Sequence, residues 1–493
     1  MKKNKISLAA VAMFAAASLA VVTPASAFAS DETVVSDEPS VDEPEENGNG
    51  EERPEPPNGF GKGEKPPMGE NGERSGLPEG FDGERPAPPN GEKPPERPDG
   101  DGGFEPQGGF EGKNDGNVPE RNSATTLTEG IDGGKFESSA DGESAVLASD
   151  GEASISNSSV SKTGDSDGDE SDFYGTNAAV LVENGATLNV SGTDVETDGT
   201  HANGIFSYGE GTTVEISDST ITTKGDCSGA LMTTGGGTTI ADGVSLETFG
   251  RSSAPIRSDR GGGTVVVSGS TAISHGIGSP AIYSTADVSV SNSSLEATDS
   301  EAVVIEGGNS VSLEDVELVG NDADLNGQAL VPTSVLIYQS MSGDASEGDS
   351  SFSMRGGSLT SKVGSVLHVT NVSTKIELED VDVESESDDF LILSADTWGK
   401  DGSNGGHAEV VLKSQKVKGN VSVDELSSVD LTISDGSRFE GAVVGDGTKN
   451  VVVDDGSVWI LTGDSEIDSL DASAGSVETN GFSLVVGGET YDG

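Results

Sequence analysis

The chain is short of four things that large proteins commonly use. It has one cysteine, Cys227, in 493 residues, so no intrachain disulfide can form and the fold must hold through its own ladder and core. Aromatic residues make up only 4%. That scarcity, beside 70 glycines, argues against a helical bundle or a large doubly wound enzyme and favours many short strands broken by turns. Lys and Arg number 27 against 87 Asp and Glu, a formal charge of -60. Nucleic acid is therefore excluded as the natural partner, because a phosphate backbone must be met by basic side chains. Cations or cationic surfaces are the expected counterparts. The C-terminus, Thr490-Tyr491-Asp492-Gly493, carries no apolar tail.

One long apolar run is present, from Ile6 to Val22. It follows Lys2, Lys3 and Lys5 and precedes Ala25-Ser26-Ala27 and Ala27-Phe28-Ala29. This is the pattern of a signal peptide over residues 1–29, and it predicts a secreted protein, extracellular or loosely held at the cell surface, with no transmembrane segment. No cysteine follows the cleavage region, so a lipid anchor is not expected. Residues 30–122 hold 16 of the 20 prolines, with 25 acids and 9 bases. Having almost no branched aliphatics to bury, this stretch cannot offset its ordering entropy and is expected to be a disordered acidic Pro/Gly-rich linker.

From residue 123 to 490 a repeat governs the chain. Its unit is an apolar-x-apolar strand, a turn of Ser, Gly, Asp or Asn, and a further apolar residue five or six positions on. Ile155, Val190, Ile216, Ile240, Val267, Val290, Leu313, Met354, Leu378, Leu412, Ile433 and Val453 read as equivalent anchors. Most are one coil apart, and three intervals, after Ile155, Leu313 and Leu378, are long enough to carry insertions. A second strand precedes each anchor, as in Gly204-Ile205-Phe206, Ala230-Leu231-Met232 and Pro255-Ile256-Arg257. Three short strands per coil, stacked in parallel, give an all-β solenoid: a right-handed parallel β-helix of about twelve coils. Alternation places Ile205, Leu231, Ile256, Ile282 and Val304 inside. It places Val182, Phe206, Met232, Arg257, Tyr283, Ile305, Tyr338 and His368 in one outward column.

The segments Asn184-Gly185-Ala186-Thr187-Leu188, Tyr208-Gly209-Glu210-Gly211-Thr212-Thr213-Val214, Ile256-Arg257-Ser258-Asp259-Arg260-Gly261-Gly262-Gly263 and Gly278-Ser279-Pro280-Ala281-Ile282-Tyr283-Ser284 carry a resemblance. Together they resemble the pectin-lyase-like superfamily of parallel β-helices. Closer still is the likeness to secreted bacterial proteins described as carbohydrate-binding domain-containing. The resemblance covers about three quarters of the chain and implies a calcium-dependent polysaccharide binder or a surface adhesin. Active pectate lyases of that superfamily carry R-x-P-x-x-R. Here Arg251-Ser252-Ser253-Ala254-Pro255-Ile256-Arg257 sets the proline four residues after the first arginine rather than two, so the motif does not match.

The outward column is the sharpest binding candidate. Phe206, Tyr208, Tyr283 and Tyr338 offer rings on which a sugar could stack. Arg257 and Arg260, with Asp259 and His275 close in sequence, offer a local positive spot for a polysaccharide, acidic in the sharpest form of the reading, or a host or cell-surface glycan. The competing expectation is that these large side chains merely pack on one another or are covered by a loop or the acidic tail. In the first insertion Asp165, Asp167, Asp169 and Asp172 alternate around Gly168, the oxygen-rich pattern a Ca2+ ion takes. The four histidines show no metal-ligand spacing. No catalytic residue is assigned. The reading is a non-catalytic glycan-binding or adhesive β-helix, with a diverged polysaccharide lyase or glycoside hydrolase, or a passive surface spacer, as alternatives.

Overall fold

A computed structural model describes residues 119–491 except 169, 324 and 326–330. Residues 1–118, on which the expected signal peptide and most of the expected linker fall, lie outside the described residues, as does Asp169 of the acidic loop. The first described strand begins at Ser123.

The chain is an all-β parallel β-helix. One face is a 13-stranded sheet in which the strand of each coil hydrogen-bonds to those of the coils before and after it. A second, 22-stranded sheet takes two strands from most coils. The coil Ile205–Tyr208, Thr213–Ser217, Thr220–Thr223 is typical: its strands pair in parallel with Leu231–Thr234, Gly237–Asp242 and Ser245–Thr248 of the next coil. Near the C-terminal end Leu484–Val486 turns back on Glu489–Thr490 as an antiparallel pair. Among the described residues, no helix is long and apolar enough to cross a membrane.

Side-chain alternation builds the core. In the 13-stranded sheet one inward row runs Val180, Ile205, Leu231, Ile256, Ile282, Val303, Val335 and Leu367, all buried. Each such aliphatic contributes about 1.5–3 kcal/mol by leaving water. The facing row runs Ile155, Val190, Ile216, Ala241, Val267, Val290, Leu313 and Met354.

Four residues, Ile240, Val304, Val182 and Ile305, face the opposite way from the sequence reading. Ala241, not Ile240, faces the core, and Ile240 points out at 40% exposure. Val303, not Val304, continues the inward row. For the same reason Val182 and Ile305 face inward, and the outward column runs Leu181, Phe206, Met232, Arg257, Tyr283, Val304, Leu336, His368 and Ile392. The physical cause is that Val180-Leu181-Val182 and Val303-Val304-Ile305 are buried on both faces, which erases the alternation that marks a half-exposed strand.

The turns use left-handed backbone in register. Asn157, Gly192, Asp218, Gly243, Gly269 and Asn292 stack at one corner with φ between 46 and 63°, each N–H bonded to the next coil. Gly, Asn and Asp are the residues that tolerate this conformation. Serine ladders run beside them: Ala202 N donates to Ser228 Oγ, Ser228 N to Ser253 Oγ and Ser253 N to Ser279 Oγ, at 2.8–3.0 Å.

Candidate functional site

The insertions decide what the outward column can do. The first carries the short helix Glu170–Tyr174 and folds onto the outer face of the 13-stranded sheet. There Leu147, Ala178, Leu181, Phe206 and Met232 form a dry cluster with Tyr208 packed against it. Phe206 is 0% exposed. Tyr208 meets Tyr174 edge-on at 5.5 Å and lies under the Arg121 guanidinium at 5.3 Å. Further along, Val304, Leu336 and Tyr338 form a second cluster with Tyr283 and Trp398. Tyr338 is 2% exposed, its ring 5.6 Å from Trp398 of the third insertion.

A polar node separates the two clusters. Arg257 bonds Asp259 at 3.0 Å and lies 3.7 Å from Asp172 of the inserted helix. Burial works against its charge, yet the two carboxylates hold its pKa above the ordinary value. Burial pushes Asp259 up to about 7, against the pull of Arg257 and the Arg260 N–H. Arg260 sits 3.7 Å over the Phe173 ring and bonds Asp344 of the second insertion at 2.7 Å, so it ties the two insertions together. Tyr283 donates to Glu306 at 2.5 Å, and Tyr338 donates to the same carboxylate at 3.3 Å. Ser340 donates to the other oxygen of Glu306. Burial raises Glu306, and it raises both tyrosines well above their usual range.

The expected ring platform is thus built but roofed. Phe206 and Tyr338 present no face to solvent, while Tyr208, Arg257, Asp259, Arg260 and Tyr283 are engaged with the roof or with one another. The reason is that rings and a guanidinium on this face anchor loops that needed a dry seat. His275 does not join them: it lies after the strand Thr271–Ser274, 3.0 Å from Glu247 and stacked on Phe249 at 4.7 Å.

The acidic loop also divides. Asp165 Oδ1 accepts from Thr200 N at 2.8 Å, one step of a turn-capping series in which Asp165 N donates to Asp141 and Arg251 N donates to Asp226. Asp167 is exposed, and Asp172 is turned inward and buried. Among the described residues the carboxylates of Asp165, Asp167 and Asp172 do not meet as one donor group, and Asp169 lies outside the described residues. Among the described residues the one group of three or more His, Cys, Asp and Glu side chains whose donor atoms meet is Asp172, His201 and Cys227, all within 4.8 Å of one another. Sequence reading missed it. The available signal was that His201 and Cys227 sit one coil apart.

A true concavity exists elsewhere, at the corner between Thr360 and Asp464. Here Lys416–Lys418 starts a separate four-stranded sheet. The side chain of Gln415 bridges the break: Val381 N donates to its Oε1 at 2.8 Å and its Nε2 donates to Val381 O at 2.6 Å. The corner opens into a groove of about 880 Å³, lined by Thr360, Lys362, Glu384, Glu386, Asp388 and Lys418, with Asn420, Glu440 and Asp464 continuing it. Five successive coils contribute, a span of about 19 Å at the inter-strand step. Small residues keep it open. Gly419 (φ 119°) and Gly441 turn so tightly that a Cβ on either would meet backbone at 2.8 and 2.1 Å.

No protein-family model matches the chain, and no curated protein matches it.

Proposed function

We propose that this chain is an extracellular, non-catalytic glycan-binding β-helix, and that the glycan lies along the corner groove rather than on the aromatic column. The observation that carries the reading is the groove itself: an open cleft of about 880 Å³ across five coils, lined by hydroxyls, an amide and carboxylates. Its volume falls in the range of ligand sites, and an extended chain running along the rod would meet the same set of polar groups coil after coil. Five carboxylates against two lysines line it. That balance favours a neutral polysaccharide; a uronate-rich one would need Ca2+ to bridge like charges. The leader-like residues 1–29 support secretion, and the resemblance to pectin-lyase-like and carbohydrate-binding β-helix proteins supports the ligand class.

Retention of the purified protein on a panel of neutral and uronate-containing polysaccharides, with Ca2+ or with a chelator, tests this. The expected result is chelator-insensitive retention on a neutral glycan, with uronates held only when Ca2+ is present and no new reducing ends or unsaturated product formed. Retention on no glycan would overturn the reading, and accumulating product would make the chain a lyase or hydrolase.

A further inference from the structure

The search of the described surface returns to Asp172, His201 and Cys227, which play no part in the groove. We infer that they form a binding site for a thiophilic divalent transition metal such as Zn2+. The donors come from three separate stretches of chain. Asp172 is supplied by the inserted helix Glu170–Tyr174. His201 and Cys227 occupy the same corner of consecutive coils, since His201 N donates to Asp226 O and Cys227 N to Arg251 O. One carboxylate oxygen, one imidazole nitrogen and one sulfur lie within 4.8 Å of one another. Ligands of one tetrahedral ion at about 2.0–2.3 Å stand about 3.3–3.8 Å apart, so only a small side-chain adjustment is needed to seat a single ion, and a mixed O, N, S set selects Zn2+ over Ca2+ or Mg2+.

Two further observations point the same way. First, the corner column containing these residues reads Gly142, Ser166, His201, Cys227, Ser252 and Gly278, all but Ser166 with left-handed φ of 53–64°. The neighbouring column fills the same conformation with Gly, Asn and Asp. A turn needs neither imidazole nor thiol there, and only these two adjacent coils carry them. Second, the carboxylate is held in place by groups beyond the donors. Asn203 Nδ2 donates to Asp172 Oδ1 at 3.4 Å, and Arg257 lies 3.7 Å from the other oxygen. Such outer contacts orient metal ligands. The charges also balance. The two anionic donors, the Asp172 carboxylate and a Cys227 thiolate, supply the charge that a divalent ion neutralises. Three protein ligands leave the fourth tetrahedral position open to water or to a group brought by a partner.

The test uses the full mature chain, reduced and metal-free, with excess Ca2+ present to occupy the many surface carboxylates. Competition against a chromophoric zinc chelator gives stoichiometry and affinity, and Co2+ substitution reports thiolate ligation through its near-ultraviolet charge-transfer absorption. One Zn2+ per chain is expected, with the cobalt–thiolate absorption. Cys227→Ser should lose that absorption and bind at least about a hundredfold more weakly, since even outer-shell changes cost 10- to 100-fold. Ser252 shows that serine suits this corner. Should Cys227→Ser not fold, His201→Asn, a residue the conformation favours, carries the comparison. Equal zinc affinity in variant and parent, no zinc retained over Ca2+, or a cobalt spectrum without the thiolate absorption would each overturn the site.

Discussion

The covered outer face of the 13-stranded sheet and the open corner groove are made from opposite materials. The first concentrates Phe206, Tyr208, Tyr283 and Tyr338 around Arg257, and insertions close over it. The second is lined by Ser, Thr, Gly, Glu and Asp, and nothing described covers it. Residues that look like a recognition surface serve as seats for loops, while accessible concavity arises where the ladder breaks and small residues hold the corner open. On a solenoid, an aromatic on an outward position is first a means of attaching an insertion.

The largest expected effect lies under the roof. Phe206→Ala should cost about 3–5 kcal/mol, because it leaves a cavity between the sheet and the inserted helix. Thermal unfolding should show the loss, and limited proteolysis should show the 163–177 segment cut first. An unchanged melting temperature would mean that the roof is not seated on this ring. Arg257→Ala leaves Asp172 and Asp259 buried without their cation, at a cost of about 3–5 kcal/mol. The companion change Asp259→Asn in the Arg257→Ala background should recover part of it. If the double variant is no better than the single one, the node is not an ion cluster.

A smaller effect follows from the buried carboxylates. Burial raises Asp259 and Asp322 to about 7, and Glu301 in the same direction. Between roughly pH 4 and pH 7 the folded chain therefore holds protons that the unfolded chain has released, so these groups contribute stability at low pH that is lost as pH rises through about 7. Burial lowers His368 to about 4, which opposes the trend below pH 6.5, and lowers Lys162 to about 8, which opposes it chiefly above pH 8. The melting temperature should fall from pH 6.5 to pH 8, and Asp322→Asn should flatten that slope. A stability that rises over this interval would contradict the burial of these acids.

The legible and illegible parts of the molecule divide along the same line. The coil repeat could be read because one-sided burial leaves alternation in segments such as Thr213-Val214-Glu215-Ile216, where Val214 and Ile216 are buried and Glu215 is exposed. Thirteen strands in the first sheet agree with about twelve coils read from the spacing. The three long intervals marked the insertions correctly. Their destination was not readable, because a segment such as Ser171-Asp172-Phe173 carries no periodic signal and docks through tertiary contacts: Phe173 O accepts from Thr234 Oγ1, and Asp172 reaches His201. The groove was equally hidden. Glu384, Lys418 and Glu440 are ordinary surface residues until the ladder break at Gln415 sets them around one concavity.

Glycan retention by two variants tests the central claim most directly. Thr462→Trp places an indole at an exposed position in the groove wall, and Tyr283→Phe removes only the hydroxyl bonded to Glu306. With melting temperatures measured in parallel, the account predicts that Thr462→Trp abolishes retention on the glycan bound by the parent while Tyr283→Phe keeps it. Retention kept by Thr462→Trp and lost by Tyr283→Phe, with both variants folded, would place recognition on the covered face and contradict the account.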